Sequence, residues 1–272
     1  MLDFIKTVAR DAGALIVRER ATFTRDFKAN SELVTSADLN ADRFICAAIR
    51  AHFPDHIILA EESAPDISRI HKADRPIWII DPIDGTVNYA HGHHQVAISI
   101  AYVEDSDIHS GVVYNPFLDE LFSAQRGGGA WLNDKPVQVG AQTDLRRCLI
   151  ATGFPYAKDN LAPLIRRLAH ILENCADVRR LGSAALDICW VAMGRLDGYY
   201  ETLSVWDFAA AQLIAREAGA IYGHFKDVPA GVSPVFHNEN ILIANPVLFP
   251  QLKSLLQEAD LRMADYWSNQ KV

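Results

Sequence analysis

The chain has 272 residues, half of them hydrophobic, with 22% charged residues and a formal net charge of −8. That length buries a sizeable core, in one large domain or in two moderate ones sharing an interface. The acidic balance argues against nucleic acid as a general partner, because a phosphate backbone needs a basic face. It leaves room for a small phosphorylated substrate, since bound metal reverses the field locally.

At the start of the chain, Leu2, Phe4, Ile5, Val8, Ala12, Leu15 and Ile16 recur at intervals of three and four, which predicts an amphipathic helix. Charges of both signs run through this segment, so it does not read as a signal peptide. No run of 18 apolar residues exists, so no membrane span is expected. A polar stretch from Lys28 to Ser36 reads as a loop or strand edge, and a second helix is expected from Asp38 to His52, stopped by Pro54. Ile57 to Ala60 reads as a short strand running into Glu61 and Glu62, Ser63 to Arg75 as a loop, and Ile77 to Ile80 as a buried strand stopping at Asp81-Pro82. Between Val96 and Leu132, short β-type runs separated by turn residues predict an antiparallel meander. Strands then alternate with helices. Strands are expected at 149–152, 178–181, 198–201 and 241–244, and helices at 161–172, 184–193, 206–218 and 246–259. A soft boundary falls near Gly140 to Asp144. The four cysteines lie in or beside apolar segments without a C-x-x-C pair, as expected of buried thiols in a reducing compartment.

The strongest chemical signal is Trp78-Ile-Ile-Asp81-Pro-Ile-Asp84-Gly85-Thr86. Two carboxylates three residues apart follow a buried strand, and Pro82 stiffens the turn. The spacing can bring both side chains and the Ile83 carbonyl toward one point, and hard divalent cations take oxygen ligands of this kind. Gly85-Thr86 opens a short helix whose free N–H groups suit a phosphate oxygen. An ordinary turn uses Asp, Pro and Gly too. Glu61-Glu62 could equally be a solvated pair, and Asp207 a plain N-cap or first-turn acid. Three carboxylate clusters at element ends are more simply explained together, because clustered acids repel unless a cation neutralises them. His91, His93 and His94 read as a surface loop or substrate lip. Gly127-Gly128-Gly129 reads as a hairpin, and the paired arginines at 146–147, 166–167 and 179–180 as solvated or interface charges. Trp190 and Met193 read as core or dimer contact.

With these motifs in their order and spacing, the chain resembles the inositol monophosphatase family of lithium-sensitive, magnesium-dependent phosphatases. The matching segments are Glu32 to Asp38, Ala60-Glu61-Glu62-Ser63, Trp78 to Tyr89, Gly182-Ser183-Ala184-Ala185, Gly198-Tyr-Tyr-Glu201 and Trp206-Asp207 to Gly219. The resemblance implies two or three Mg²⁺ ions, with Glu61, Asp81 and the Ile83 carbonyl on the first and Asp81, Asp84 and Asp207 on the second. Glu61 would also touch a weaker third ion through water. It implies that Thr86, paired with Glu61, orients the attacking water, with Asp38 behind Thr86 and Lys28 in the loop over the metals. The Gly85 and Thr86 amides would bind phosphate, while Ser183, Ala184 and Glu201, with Asp84 and Asp207, face the substrate.

The expected fold is α/β, a layered αβαβα sandwich of the inositol monophosphatase and fructose-1,6-bisphosphatase type. Residues 1–141 would form an α+β half carrying most metal ligands. Residues 142–272 would form an α/β half supplying the last metal-binding Asp and the substrate contacts. The expected activity is hydrolysis of a small phosphorylated polyol or sugar, foremost inositol 1-phosphate, by a cytoplasmic homodimer with no nucleic-acid or membrane partner. Histidinol-phosphatase and fructose-1,6-bisphosphatase are the alternatives within the enzyme class. A catalytically silent regulatory binding protein of the same fold is the alternative outside it.

Overall fold

In the computed structural model, residues 1–28, 32–64, 66–72, 75–155, 158 and 160–261 are described. Parts of the two polar segments (29–31, 65 and 73–74) and the end of the expected C-terminal half (262–272) lie outside the described residues. In chain order the elements are α1 (Leu2–Glu19), β1 (Arg25–Phe27), β2 (Leu33–Thr35), α2 (Ser36–His52), β3 (Ile57–Ala60), β4 (Ile77–Asp84), α3 (Thr86–His91), β5 (Ala97–Glu104), β6 (Asp107–Asn115), β7 (Glu120–Gln125), β8 (Ala130–Leu132) and β9 (Lys135–Val137). There follow β10 (Leu149–Thr152), α4 (Ala162–Asn174), β11 (Asp177–Arg179), α5 (Ala184–Ala192), β12 (Gly198–Glu201), α6 (Val205–Glu217), β13 (Ile221–His224), β14 (Ile241–Ala244) and α7 (Leu248–Leu261).

A seven-stranded sheet runs β3-β4-β5-β6-β7-β8-β9, and a five-stranded sheet runs β11-β10-β12-β14-β13. Helices α1 and α2 cover the outer face of the first sheet, α5 and α6 lie between the sheets, and α4 and α7 cover the outer face of the second. This is the expected αβαβα sandwich. Strand alternation builds it. Ile77 and Ile79 of β4 enter the central layer while Trp78 and Ile80 point to α1 and α2. Tyr199, Ile241 and Ile243 face the central layer, and Tyr200, Leu242 and Ala244 face α4 and α7. Successive side chains of a strand point to opposite faces, so a strand covered on both sides must be apolar throughout.

Helix α6 is buried nearly all round, which only small residues allow between two sheets. Ala209, Ala210 and Ala211 are fully buried, and a Cβ on Gly111 of β6 would come within 2.9 Å of the Ala210 carbonyl oxygen. Replacing Ala210 by Leu is therefore expected to destabilise the protein by about 1–3 kcal/mol through overpacking, measured as a lower urea midpoint at unchanged slope.

Several expectations change in detail. The segment after Ser63 is not loop throughout, since Ile67–Lys72 forms a 3₁₀ helix. Strand β4 does not stop at Asp81 but continues to Asp84. Strands β1, β9 and β13 carry too few apolar residues to stand out by pattern. Gly127-Gly128-Gly129 is the hairpin turn between β7 and β8, and its cradle is filled internally. The Gly127 and Gly129 N–H groups donate to the two Glu217 carboxylate oxygens, both at 2.9 Å, tying the end of α6 to the first sheet. Arg167 is not solvated but paired with Asp260 at 2.7 Å. The four cysteines are buried and free. Among the described residues, no helix is long and apolar enough to cross a membrane.

Candidate functional site

The site is assembled by the ends of β3, β4, β12, α5 and α6. Strands β3 and β4 are parallel, with Ala60 opposite Ile80, so Glu61 follows beside Asp81, and its N–H donates to the Ile80 carbonyl at 3.2 Å. A regular strand would send Asp81 and Asp84 to opposite faces, because they are three residues apart. Against β5, however, Asp81 pairs with Ser99 and Asp84 with Ala97, so β4 carries one extra residue between them. Such a bulge re-aims the following side chains, and Pro82, which has no N–H for the ladder, is tolerated there. The Asp81 carboxylate accepts the Ile83 N–H at 3.0 Å, which holds the bend. Ser99 then donates from Oγ to the Trp206 carbonyl at 3.2 Å, drawing the start of α6, and with it Asp207, up to the same place.

Asp38 and Asp207 are the third residues of two helices that begin with the same device. In α2 the Asp38 carboxylate accepts the Thr35 N–H at 2.8 Å, and in α6 the Asp207 carboxylate accepts the Ser204 N–H at 2.9 Å. Both are capping boxes. Asp207 is thus a capping acid and a site acid at once. Asp84 Oδ2 accepts from Ser183 Oγ at 2.6 Å and from the Ala185 N–H at 2.7 Å, which docks the start of α5 on β4. Asn88 of α3 reinforces this junction by donating to the Leu181 and Gln95 carbonyls at 2.7 and 2.8 Å. Gly85 has a φ of 97°, and a Cβ there would come within 2.7 Å of the Gln95 carbonyl oxygen, so only glycine fits.

These elements enclose a cavity of about 390 Å³. Glu61, Asp81, Ile83, Asp84, Gly85, Thr86, Ser183, Ala184, Glu201 and Asp207, ten of the eleven residues singled out from the sequence, line it. The eleventh, Asp38, reaches it through Thr86, whose Oγ1 donates to Asp38 Oδ1 at 2.8 Å, with the Ile83 carbonyl a second acceptor at 3.1 Å. Lys28 Nζ donates to Glu61 Oε1 at 2.7 Å and also pairs with Glu62 at 2.7 Å. His91, His93 and His94 do not line the cavity. They are exposed, and His94 stacks on Phe117 with ring centroids 5.4 Å apart. Gly153, Arg180 and Asp187 line the cavity although no sequence motif assigned them to it, and Tyr199 lines it from the Gly198-Tyr-Tyr-Glu201 segment. Asp187 carried a faint signal, as an acid in an otherwise apolar helix.

Burial dominates the electrostatics, with mutual repulsion next at Asp81 and Asp207. Asp81 is held well above the usual carboxylate range by burial first, then by the charges of Glu61, Asp84, Asp207 and Asp38. Asp207 is raised in the same way, with Asp84 and Glu61 as its main neighbours. Asp84 is pushed up to about 6 by burial, against the hydrogen bonds from Ser183 and Ala185. Burial also raises Glu61, against the opposing Lys28 charge. The donor set fits a hard divalent cation. It consists of oxygen atoms only, each taken out of water. Among the described residues, no three His, Cys, Asp or Glu side chains stand together in ligand geometry. Glu61 is paired with Lys28.

Fold and site together define a layered αβαβα protein whose pocket is walled by oxygen donors suited to divalent cations. The chain belongs to the inositol monophosphatase family, whose model matches residues 1–261. It is 39% identical over 254 residues to the protein called Nus factor SuhB of Vibrio cholerae, covering 90% of this chain and 91% of that one. It is 37% identical over 254 residues to the inositol-1-monophosphatase of Rhizobium meliloti, covering 93% and 91%. Among solved structures, the extragenic suppressor protein suhB of Bartonella henselae superposes with a TM-score of 0.85 at 33% identity, covering 94% of this chain and 98% of that one. The inositol monophosphatase of Anabaena superposes with a TM-score of 0.80 at 33% identity, covering 94% and 95%.

Proposed function

We propose that the chain is a Mg²⁺-dependent phosphate monoester hydrolase acting on a small phosphorylated polyol, with inositol 1-phosphate as the first substrate to test. The observation that carries this reading is the meeting of Glu61, Asp81, Asp84 and Asp207 in one cavity beside the Thr86–Asp38 pair. Glu61, Asp81, the Ile83 carbonyl, Asp84 and Asp207 would hold the ions. Bound Mg²⁺ supplies neutralisation of the ester's charge, acidification of water and stabilisation of the departing alkoxide.

The remaining work falls to the chain's own residues. The Thr86 hydroxyl gives its hydrogen to Asp38 Oδ1, which leaves Oγ1 lone pairs to accept a hydrogen from water and aim that water's oxygen at phosphorus. Asp38 is buried and pinned by Thr35, so the hydroxyl cannot swing away. The Gly85 and Thr86 amides would receive phosphate oxygens, and Ser183, Ala184 and Glu201 would face the alcohol. Thr86→Ala is expected to lower kcat by roughly 10²–10⁴ with little change in KM, the range set by loss of one proton-handling group. Steady-state kinetics at saturating Mg²⁺ measures it.

A panel of phosphate esters at equal Mg²⁺ tests the proposal: inositol 1-phosphate, histidinol phosphate and fructose 1,6-bisphosphate. Preference for either of the last two moves the substrate assignment, and hydrolysis of none overturns the enzymatic reading. A second reading has support in the relatives called Nus factor SuhB, 39% identical to this chain. It gives the chain a partner-binding role that survives loss of turnover. Sedimentation tests the homodimer that the family resemblance implies.

A further inference from the structure

The segment between β13 and β14 runs in turns, yet it builds part of the cavity wall. Asn238 lines the acid-walled cavity, and Val232, Phe236 and His237 line an apolar cavity beside it. The Asn238 carbonyl accepts the Leu203 N–H at 2.9 Å, and the Asn240 N–H donates to Thr202 Oγ1 at 3.1 Å. The loop is thus stitched to the residues that lead into the Ser204 cap of α6. His224 of β13, only 6% exposed, spans this loop. Its Nδ1 lies 2.8 Å from the Glu239 carbonyl oxygen, and its Nε2 lies 3.1 Å from the Pro234 carbonyl oxygen. A carbonyl oxygen only accepts. A neutral imidazole carries one N–H, so it serves one of these oxygens and turns a lone pair on the other. The imidazolium, with two N–H groups, donates to both.

The surroundings suit a single charge. His237 stands against His224 with ring centroids 4.9 Å apart, and burial, then the charge of His224, lowers the pKa of His237. Glu239 brings a negative side chain to the same pair. Tyr222, on the strand of His224, meets its ring edge-on with centroids 5.5 Å apart. From α6, Gln212 donates to the Val235 carbonyl at 2.7 Å, and the Arg216 charge reaches Tyr222. Apolar Ile241 stands opposite on β14. Lys226, two residues along the chain, is paired with Asp260 of α7 at 2.8 Å.

We propose that His224 is a positioning residue whose imidazolium clamps the Pro234 and Glu239 carbonyls and, through Asn238 and Leu203, holds this cavity wall in place until rising pH removes one ring proton. His224 itself does not line the cavity, so it acts only through the loop. The second hydrogen bond needs the proton. It therefore favours the closed loop on the acid side and is lost on the alkaline side. The clamp works whether or not the cavity hydrolyses an ester.

Hydrogen exchange on the whole chain tests this, with the wild type beside His224→Gln and His224→Phe. Exchange is measured at about pH 6 and about pH 9, on either side of the range in which histidine ordinarily changes charge. Each rate is divided by that of an unstructured peptide at the same pH, and strands β5 and β6 report any global opening. Beyond that global change, wild-type protection of residues 202–204 and 234–240 is expected to fall about 10–100-fold, the range for one charged hydrogen bond. His224→Gln keeps a donor but cannot titrate, so it should sit near the alkaline wild-type level at both pH values. His224→Phe keeps the ring packing without donors and should fall below the Gln variant. Imidazole nitrogen shifts, assigned by the signal missing from the Gln variant, should show two protonated nitrogens at the lower pH and one at the higher. A singly protonated ring at the lower pH overturns the proposal, and so does a wild-type loop protected equally at both. A Gln variant that loses protection with pH as the wild type does overturns it too, because another group then titrates. If the Phe variant fails to fold, the Gln variant and the nitrogen shifts decide.

Discussion

Asp84→Asn is expected to reduce turnover at least about 10³-fold while the fold persists. Asp84 does two things that can be separated. Its Oδ2 takes the Ser183 hydroxyl and the Ala185 N–H, and an asparagine oxygen can take the same two donors. Its charge belongs to the buried carboxylate group proposed to hold the cations, and asparagine cannot replace that. Loss of metal electrostatics in phosphoryl transfer removes the largest single source of rate, because uncatalysed monoester hydrolysis is among the slowest reactions known. Removing one charge from a repelling set should also raise the Tm of the metal-free protein. Measurement of kcat beside a thermal melt in EDTA checks both halves. An Asn variant that turns over at the wild-type rate would mean that Asp84 only docks α5. Under the partner-binding reading, this variant keeps its partner.

The second large effect is stabilisation by Mg²⁺, growing with pH. Asp81 and Asp207 are held well above the ordinary carboxylate range, and Asp84 is pushed up to about 6. The reference value for an unfolded Asp is about 3.9. A group that is harder to ionise folded than unfolded favours the fold fully only below its unfolded pKa. That advantage is lost as pH climbs through the folded value. The metal-free protein should therefore lose stability from about pH 4 upward, through pH 6 and beyond. Cations that bind the ionised cluster oppose this loss, and they bind more tightly as protons leave. At 100 times its dissociation constant a ligand stabilises by about 2.7 kcal/mol, or roughly 5–10 °C in Tm for a chain of this size. Melts with Mg²⁺ and with EDTA between pH 5 and 8 should diverge upward in pH. Parallel curves would show that the acids bind no cation, and Asp84→Asn should shrink the gap.

Much of this architecture was legible in the linear chain because it depends on local chemistry. The apolar run at 77–80 read as a buried strand, and the segments at 198–201 and 241–244 as strands. The Asp81-Pro-Ile-Asp84-Gly85 spacing announced oxygen donors at a strand end. The triple glycine announced a hairpin, although nothing local showed that Glu217, 88 residues on from Gly129, would fill it. The family motifs singled out ten of the residues that line the cavity, but not how they meet.

What the sequence by itself determined is which segments are apolar on which faces, where turns and caps must fall, and which side chains carry oxygen donors. These follow from hydrophobic period, proline and glycine geometry and capping, all of which act within a few residues. The tertiary structure alone decided that an extra residue in β4 turns Asp81 and Asp84 to the same side, and that Ser99 pulls Asp207 across from α6. It also decided that Glu201 rests on Gly153 and that Asp187 Oδ1 is sealed in without a hydrogen-bond partner. Each of these is a long-range contact between elements, and its existence depends on register and on the close packing of layers. No window of neighbouring residues encodes either.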